Sequence, residues 1–438
     1  MRIIVQKFGG TSVNTAELRL DIAARVHEAL AAGMSSVVVV SAMGRSGEPY
    51  ATDTLISLCR DRYPETPLRE MDLLMSCGEI ISSVLVAAAL RSQGIDALAM
   101  TGAQAGIVTD DRYSGADIVA IQPDHLVRRL EDGKVVVVAG FQGVTEVGDT
   151  TTLGRGGSDI TAAALGAGLG AEVIEIYTDV DGVKTADPRI VPEARTIDVV
   201  GHFEVCQMAS EGAKVVHPRA VEIAMRNNVP LRVKSTHGGG PGTLIATGRR
   251  MGWPEIGESR PVTAVTHVPN LAQVRVLAPE DGFDPQADLR IFDAMAGAGI
   301  SVDLINVAPE LVGFTVTMNL ADRAETVLAR QGLKVQTRRG CAKVSVVGLG
   351  MRGVPGVMAK VTRALAGERI KILQTADSHA TISCLVEAKD MERSVIALHR
   401  EFQLAQASPR PEGRDGNGLR HGANSNGNPV PGGPGGRL

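Results

Sequence analysis

Apolar residues along the chain follow two alternating rhythms. Short unbroken runs occur at 1–8 (MRIIVQKF), 35–43 (SSVVVVSAM), 135–141 (VVVVAGF) and 172–179 (EVIEIYTD). Runs apolar at successive positions predict strands covered on both faces by helices. Between them apolar residues return at helical spacing: Leu18, Ile22, Val26, Ala29 and Leu30 share one face, and Gly33 is a stop signal. The same reading predicts helices at 67–92, 122–132, 158–170, 203–213 and 219–228, and a strand at PLRVKS, 230–235. Regular alternation of strand and helix predicts an α/β domain with a mostly parallel central sheet over residues 1–236.

The rhythm breaks at THGGGPGT, 236–243, and a polar linker is expected over 237–261. Shorter units then repeat. QVRVLAP, IFDAMAGAGI, SVDLINV and GFTVTMN form one strand–helix–strand–strand unit; KVSVVGLG, VMAKVTRALAGE, IKILQTA and ATISCLVEA form another. Each is followed by a further helix, near 322–331 and 390–401. Two copies of a small module are therefore expected at 262–337 and 338–405. Residues 406–438, rich in Gly, Asn and Pro, read as a disordered tail.

Composition narrows the function classes. A net charge of −4 and the lack of a basic run argue against nucleic acid and against a membrane surface as partners. No uncharged apolar stretch of about 18 residues or more is present, so no transmembrane helix is expected. The N-terminus enters a strand directly, without a signal-peptide pattern. Five dispersed cysteines (Cys59, Cys77, Cys206, Cys341, Cys384) with no CxxC favour reduced thiols and a cytoplasmic location over disulfides or zinc.

Several stretches carry chemistry. Lys7 precedes Gly9, Gly10, Thr11 and Ser12 at a strand end. Glycine amides, a helix N-terminus and a lysine suit phosphate; an ordinary βα turn with a solvated lysine would look the same. Ser41 ends another buried run, and Thr52 lies near the base of the next helix, where it or Asp53 could be an N-cap. Glu79 interrupts an apolar helical segment, as a surface residue or as a buried ligand for a cation. Gly154-Arg155-Gly156-Gly157-Ser158-Asp159 sets an arginine among glycines before a helix. Arg155 can grip a carboxylate or phosphate with two parallel hydrogen bonds, and Asp159 could cap the helix. Thr178, Asp179, Asp187 and Arg189 fall in turns after a strand, where nucleotide contact or turn chemistry would each account for them. Gly348-x-Gly350-x-x-Gly353 has the spelling of a dinucleotide-binding turn, but too little chain follows for a doubly wound sheet, so it reads as a tight turn of the repeat.

Taken in order, KFGGTS, VVSAMG, SCGE, GFQG, TTLGRGGSD, TDVDGVKTADPR, GAKVVHPRA and GMRGVPGVMAK closely resemble the aspartate kinases, from residue 2 to about 404. LQTADSHATI resembles the diaminopimelate-responsive firmicute type. The resemblance implies an amino acid kinase (carbamate kinase-like) fold followed by two ferredoxin-like βαββαβ ACT domains. It implies transfer of the γ-phosphoryl group of ATP, with Mg²⁺, to the side-chain carboxylate of L-aspartate. That carboxylate is already ionised at pH 7, so no general base is required.

By likeness, Lys7 bridges the phosphoryl oxygens, helped by Gly9, Gly10 and Ser12. Glu79 holds the substrate ammonium and Arg155 its α-carboxylate, while Ser41, Thr52 and Thr152 help seat the aspartate. Ser158 and Asp159 order Lys7 and the transferring group. Thr178, Asp179, Lys184, Arg189 and Lys214 match nucleotide positions; no protein ligand of the metal is assigned. The ACT pair implies a homodimer and an amino-acid effector, diaminopimelate or lysine. Asp303 and Asn306 are its candidate contacts in the first copy, and Met351, Val354, Pro355, Gln374 and Asp377 in the second; loop chemistry or strand packing would equally explain each. In some relatives a separate small subunit starts near the position of Met251. Two alternatives stand beside this reading: an amino acid kinase acting on glutamate or acetylglutamate, and an amino-acid-sensing regulatory subunit with weak or no catalysis.

Overall fold

A computed structural model describes residues 1–213, 215–247, 261–279, 284, 286–351 and 353–406. The first part of the chain forms strands β1 (Ile3–Phe8), β2 (Ser35–Val40), β3 (Ala97–Met100), β4 (Ile107–Thr109), β5 (Ile118–Ile121), β6 (Val135–Ala139), β7 (Gln142–Val144), β8 (Thr150–Thr152), β9 (Val173–Thr178), β10 (Val199–Gly201), β11 (Leu231–Ser235) and β12 (Thr243–Ala246). Its helices are α1 (Gly10–Val13), α2 (Ala16–Ala31), α3 (Thr52–Arg60), α4 (Leu68–Ser92), α5 (Asp124–Glu131), α6 (Gly157–Gly168), α7 (His202–Ser210) and α8 (Pro218–Arg226).

Eight of these strands make one sheet in the order β10-β12-β11-β9-β1-β2-β6-β3, parallel throughout except where β11 meets β12. The valine runs are covered on both sides, as expected from their unbroken apolarity. Val37, Val39, Val136 and Val138 face a core with residues of α5, α6, α7 and α8. Val38, Val40, Val135 and Val137 face the opposite core, with Ile22 and Val26 of α2 and Val86 and Leu90 of α4. α4 is long and apolar enough to cross a membrane by length and composition, although it carries charged residues; half of its most apolar window is buried within the fold.

Two features differ from the expectation. β4, β5, β7 and β8 form a second, four-stranded sheet of three- and four-residue strands, too short to show a period. The glycine tract expected to open a linker is instead the turn of a hairpin, because β12 returns antiparallel to β11. Gly242 has φ +71 and lies so close to Val233 that an added Cβ would sit 2.0 Å from its carbonyl oxygen. The rest of the expected linker, residues 248–260 with Met251, and all of the expected tail, 406–438, except Gln406 lie outside the described residues.

The second part adds β13 (Ala264–Leu277), β14 (Asp303–Ala308), β15 (Leu311–Thr317), β16 (Lys334–Val347), β17 (Gln374–Asp377) and β18 (Thr381–Glu387), with helices α9 (Ala287–Gly297), α10 (Ala321–Arg330), α11 (Val357–Gly367) and α12 (Met391–Glu401). The strands form one antiparallel sheet ordered β14-β15-β13-β16-β18-β17. The repeat is present, but its copies share strands. Residues 271–277 of β13 pair with β15 in the first copy, whereas 264–268 pair with 343–347 of β16 in the second. The second copy is thus completed by a strand that precedes the first, and the 337/338 boundary falls within β16. The switch occurs at a register shift around the exposed Asn270, whose φ is +59.

Gly348 ends β16 with Pro261 packed against it, in an antiparallel sheet and not a dinucleotide fold. Ala186, Val191 and Ala194 from the first part of the chain belong to the core of the second copy. Nearby, His399 Nε2 of α12 lies 3.0 Å from Thr185 Oγ1.

Candidate active site

The carboxyl ends of β1, β2, β6, β9 and β11 converge because these strands run side by side. Phe8 pairs with Val40 and Tyr177, Val40 with Ala139, and Ser235 with Thr178. Residues following these ends therefore meet at one edge of the sheet, where ligands of open α/β sheets bind.

Lys7 projects there, and its Nζ lies 2.7 Å from Asp159 Oδ1, with both side chains 13% exposed. Asp159 is not the cap of α6. The N-cap is Gly156, at φ +72, and it makes no side-chain cap bond. Asp159 Oδ2 instead accepts from the His217 backbone N–H at 3.3 Å. His217, given no role from sequence although its motif GAKVVHPRA carries Lys214, packs its ring where a Gly156 Cβ would sit, 2.3 Å away.

Gly10 lies against Ala42, whose carbonyl oxygen would be 2.4 Å from an added Cβ. Helix α1 is a single turn, and the long helix α2 begins only at Ala16. Positive charge at this turn therefore comes from Lys7 and local amides more than from a helix dipole. Ser12 Oγ is 2.8 Å from Thr236 Oγ1, and the Thr236 N–H donates to the Thr178 carbonyl at 3.1 Å. Ser12 and Thr178 thus flank one point of the edge. Ser158 is buried against the end of β6, where Gly140 leaves it room: a Cβ there would be 2.9 Å from Ser158 Oγ.

Glu79 is buried, not a surface residue. Gly78 lets α4 approach, since an added Cβ would lie 2.8 Å from Ala42 Cβ and 2.9 Å from the Tyr50 carbonyl oxygen. Glu79 Oε1 then accepts the Ala42 N–H at 3.0 Å. Its Oε2 is buried without a partner. Desolvation pushes this carboxyl up to about 8, and the Ala42 hydrogen bond opposes the rise only in part. Ser41 sits beside it, its N–H donating to the Phe8 carbonyl at 3.2 Å.

Other expected residues fall into different settings. Thr52 is the first residue of α3, and the N-cap is Ala51 with no side-chain bond, so neither Thr52 nor Asp53 caps the helix. Arg155 is exposed and makes no hydrogen bond or ion pair with any described residue. Thr152 is fully buried, and its hydroxyl donates to Asp72 Oδ1 at 2.9 Å. Asp179 accepts from the Thr178 hydroxyl at 3.1 Å. Lys184 pairs with Asp181 at 2.7 Å, and the 86% exposed Arg189 pairs with Asp187 at 2.6 Å. Lys214 lies outside the described residues. No group of three or more His, Cys, Asp or Glu placed to hold a metal occurs among the described residues.

In the second part, Asp303 Oδ2 lies 2.5 Å from the buried Lys343 Nζ, which also pairs with Glu211 of the first part at 3.1 Å. Gln374 accepts from Gln273 Nε2 at 2.9 Å and donates to the Leu304 carbonyl, tying β17 to β14. Asn306, Val354, Pro355 and Asp377 are exposed. Met351 is enclosed in the core of the second copy, so its side chain is packing and not an open contact.

Residues 2–235 match the model of the amino acid kinase family, and residues 336–400 match an ACT domain. The chain is 48% identical over 406 residues to aspartokinase 1 of Bacillus subtilis, covering 93% of this chain and all of that one. Among solved structures, Escherichia coli aspartokinase III in complex with aspartate and ADP, in its R-state, superposes with a TM-score of 0.73 at 27% identity, covering 92% of this chain and 100% of that one. The same enzyme with lysine and aspartate, in its T-state, also gives 0.73, at 26% identity, covering 91% and 99%. With both parts of the chain matched and nearly its whole described length aligned, the protein belongs to the aspartokinases, within the amino acid kinase family.

Proposed function

We propose that the strand-end cleft carries out the family's reaction, transfer of the terminal phosphoryl group of ATP to the β-carboxylate of L-aspartate, with Lys7, Glu79 and Arg155 as its principal groups. The observation that carries the assignment is Glu79: a buried carboxyl with one oxygen unpartnered, on α4 beside the end of β2. A substrate ammonium would complete it. The unpaired guanidinium of Arg155 is free for the α-carboxylate.

The aspartate β-carboxylate attacks the terminal phosphorus. A new P–O bond forms as the bond to the β,γ-bridging oxygen breaks, leaving ADP and an acyl phosphate. Charge on the transferring group falls to Lys7, held by Asp159, and to the amides around Gly9 and Gly10. Ser12, Thr178 and Asp179 flank the nucleotide side, Lys184 and Arg189 are its outer contacts, and Lys214 is a further nucleotide-binding residue by family likeness. Mg²⁺ enters with the nucleotide as part of the substrate. Ser41 and Thr52 line the aspartate side; Thr152 acts from beneath it, through its bond to Asp72.

The ACT pair binds an amino-acid effector, diaminopimelate or lysine, and joins two chains into a homodimer. Asp303 and Gln374, which connect strands of the two copies, are the residues best placed to report occupancy. A purely regulatory subunit is disfavoured because Lys7, Asp159, Glu79 and Arg155 are all present and the Lys7–Asp159 pair is assembled. An ATP-dependent hydroxamate assay with aspartate, glutamate and acetylglutamate tests the assignment, with lysine and diaminopimelate added in turn. Activity on aspartate alone, reduced by one effector, is expected; equal activity on glutamate would overturn it.

A further inference from the structure

We infer that Asp72 is a positioning residue for aspartate, setting the span between Glu79 and Arg155. The inference rests on the assignment of those two side chains as the poles of the aspartate grip.

Asp72 is fully buried on α4. Its carboxylate accepts five hydrogen bonds. Thr152 donates through its N–H at 2.8 Å and its hydroxyl at 2.9 Å. Ser114 donates through its N–H, at 3.0 and 2.9 Å to the two oxygens, and through its hydroxyl at 3.1 Å. A buried carboxylate with every contact a hydrogen bond costs desolvation that a purely apolar contact would avoid. Its directionality fixes distance and register in return.

What it fixes is the frame of the grip. Asp72 and Glu79 lie seven residues apart, two turns on one buried face of α4 and about 10 Å along its axis. Thr152 lies three residues before Arg155. Ser114 lies against the same turn, its carbonyl oxygen 3.4 Å from where a Gly154 Cβ would be. A second tie, from Gln142 Nε2 of β7 to the Ser76 carbonyl of α4 at 3.0 Å, keeps β8 from sliding, since Gln142 pairs with Thr152. α4 and the turn that carries Arg155 therefore move as one body. A loosened tie would let the cleft widen, which hurts a four-carbon dicarboxylate more than a five-carbon one and leaves the nucleotide side unaffected.

The test is steady-state kinetics on the full chain for Asp72→Asn and Ser114→Ala. Asp72→Asn keeps size but places an amide donor against the donors of Thr152 and Ser114; Ser114→Ala removes one bond and no bulk. For Asp72→Asn the expected result is an aspartate KM raised about tenfold or more, an ATP KM within about twofold, and a lower aspartate-to-glutamate ratio of kcat/KM. Ser114→Ala should shift the same quantities in the same direction by less. If Asp72→Asn does not fold, Ser114→Ala decides alone. Equal shifts of both KM values, or an unchanged aspartate KM, would overturn the inference. Arg155→Ala measured alongside separates the two levels: if it too leaves the aspartate KM unchanged, the grip itself is misassigned. If it raises that KM while the Asp72 and Ser114 variants do not, only the positioning role fails.

Discussion

If Glu79 receives the substrate ammonium, as proposed, aspartate binding is coupled to loss of a proton. With its carboxyl raised to about 8 by burial, only about a tenth of the free enzyme carries the carboxylate at pH 7. A substrate ammonium binds the charged form, so binding at pH 7 should release about 0.9 proton per site. The aspartate KM should stand about tenfold above its alkaline plateau at pH 7, and should fall about 15-fold between pH 6.5 and 8. The ATP KM should hardly change over that range. For stability the sign is opposite. A carboxyl raised from 4.5 to about 8 favours the folded free enzyme below the lower value, and that contribution is lost as pH rises through about 8. At 1.4 kcal/mol per pH unit, the full difference is on the order of 5 kcal/mol. Titration calorimetry in two buffers of different ionisation enthalpy measures the released proton directly. Glu79→Gln should abolish the release, raise the aspartate KM and flatten its pH profile, while raising the free protein's Tm above pH 8. A wild-type release near zero, or an aspartate KM independent of pH, would refute the reasoning.

Four further outcomes follow from the geometry. Lys7→Ala removes the cation proposed to face the transferring group and should lower kcat by about 10²–10³-fold or more, with far-UV circular dichroism unchanged; near-normal turnover would remove Lys7 from the reaction. Arg155→Ala should raise the aspartate KM by about 10²-fold and the ATP KM by less than about threefold, and equal rises would count against the bidentate grip. Gly156→Ala places a methyl 2.3 Å from the His217 ring at φ +72, so a cost of about 1–3 kcal/mol is expected as a lower Tm, with activity lost as the Asp159 turn shifts; a variant with unchanged Tm would contradict the packing. Asp303→Ala frees Lys343 from one of its two carboxylates and should move the half-inhibiting concentration of lysine or diaminopimelate more than about fivefold, at unchanged uninhibited kcat; an unaltered inhibition curve would exclude Asp303 from the sensor.

The unbroken valine runs were enough to predict a parallel sheet covered on both faces, because a residue apolar at every position has no side to give to water. The strand-end placement of Lys7 and the glycines after it followed from the same pattern. Motif order carried the family, and the repeat in the second part was visible from its rhythm. Local pattern could not reach contacts made between distant segments. The burial of Glu79 depends on Gly78 letting a helix come against a strand end, and the bare letters SCGE fit a surface helix as well. Nothing in the helical pattern predicted over 67–92 singles out Asp72, yet it takes five hydrogen bonds from two segments far along the chain. The three-residue strands of the small sheet were below the length at which a period can be read. The hairpin hidden in the glycine tract, and the strand that crosses from one ACT copy to the other, are pairings between separated strands. Their energy lies in hydrogen bonds and packing formed only once the chain has folded back on itself, so they belong to the tertiary structure alone.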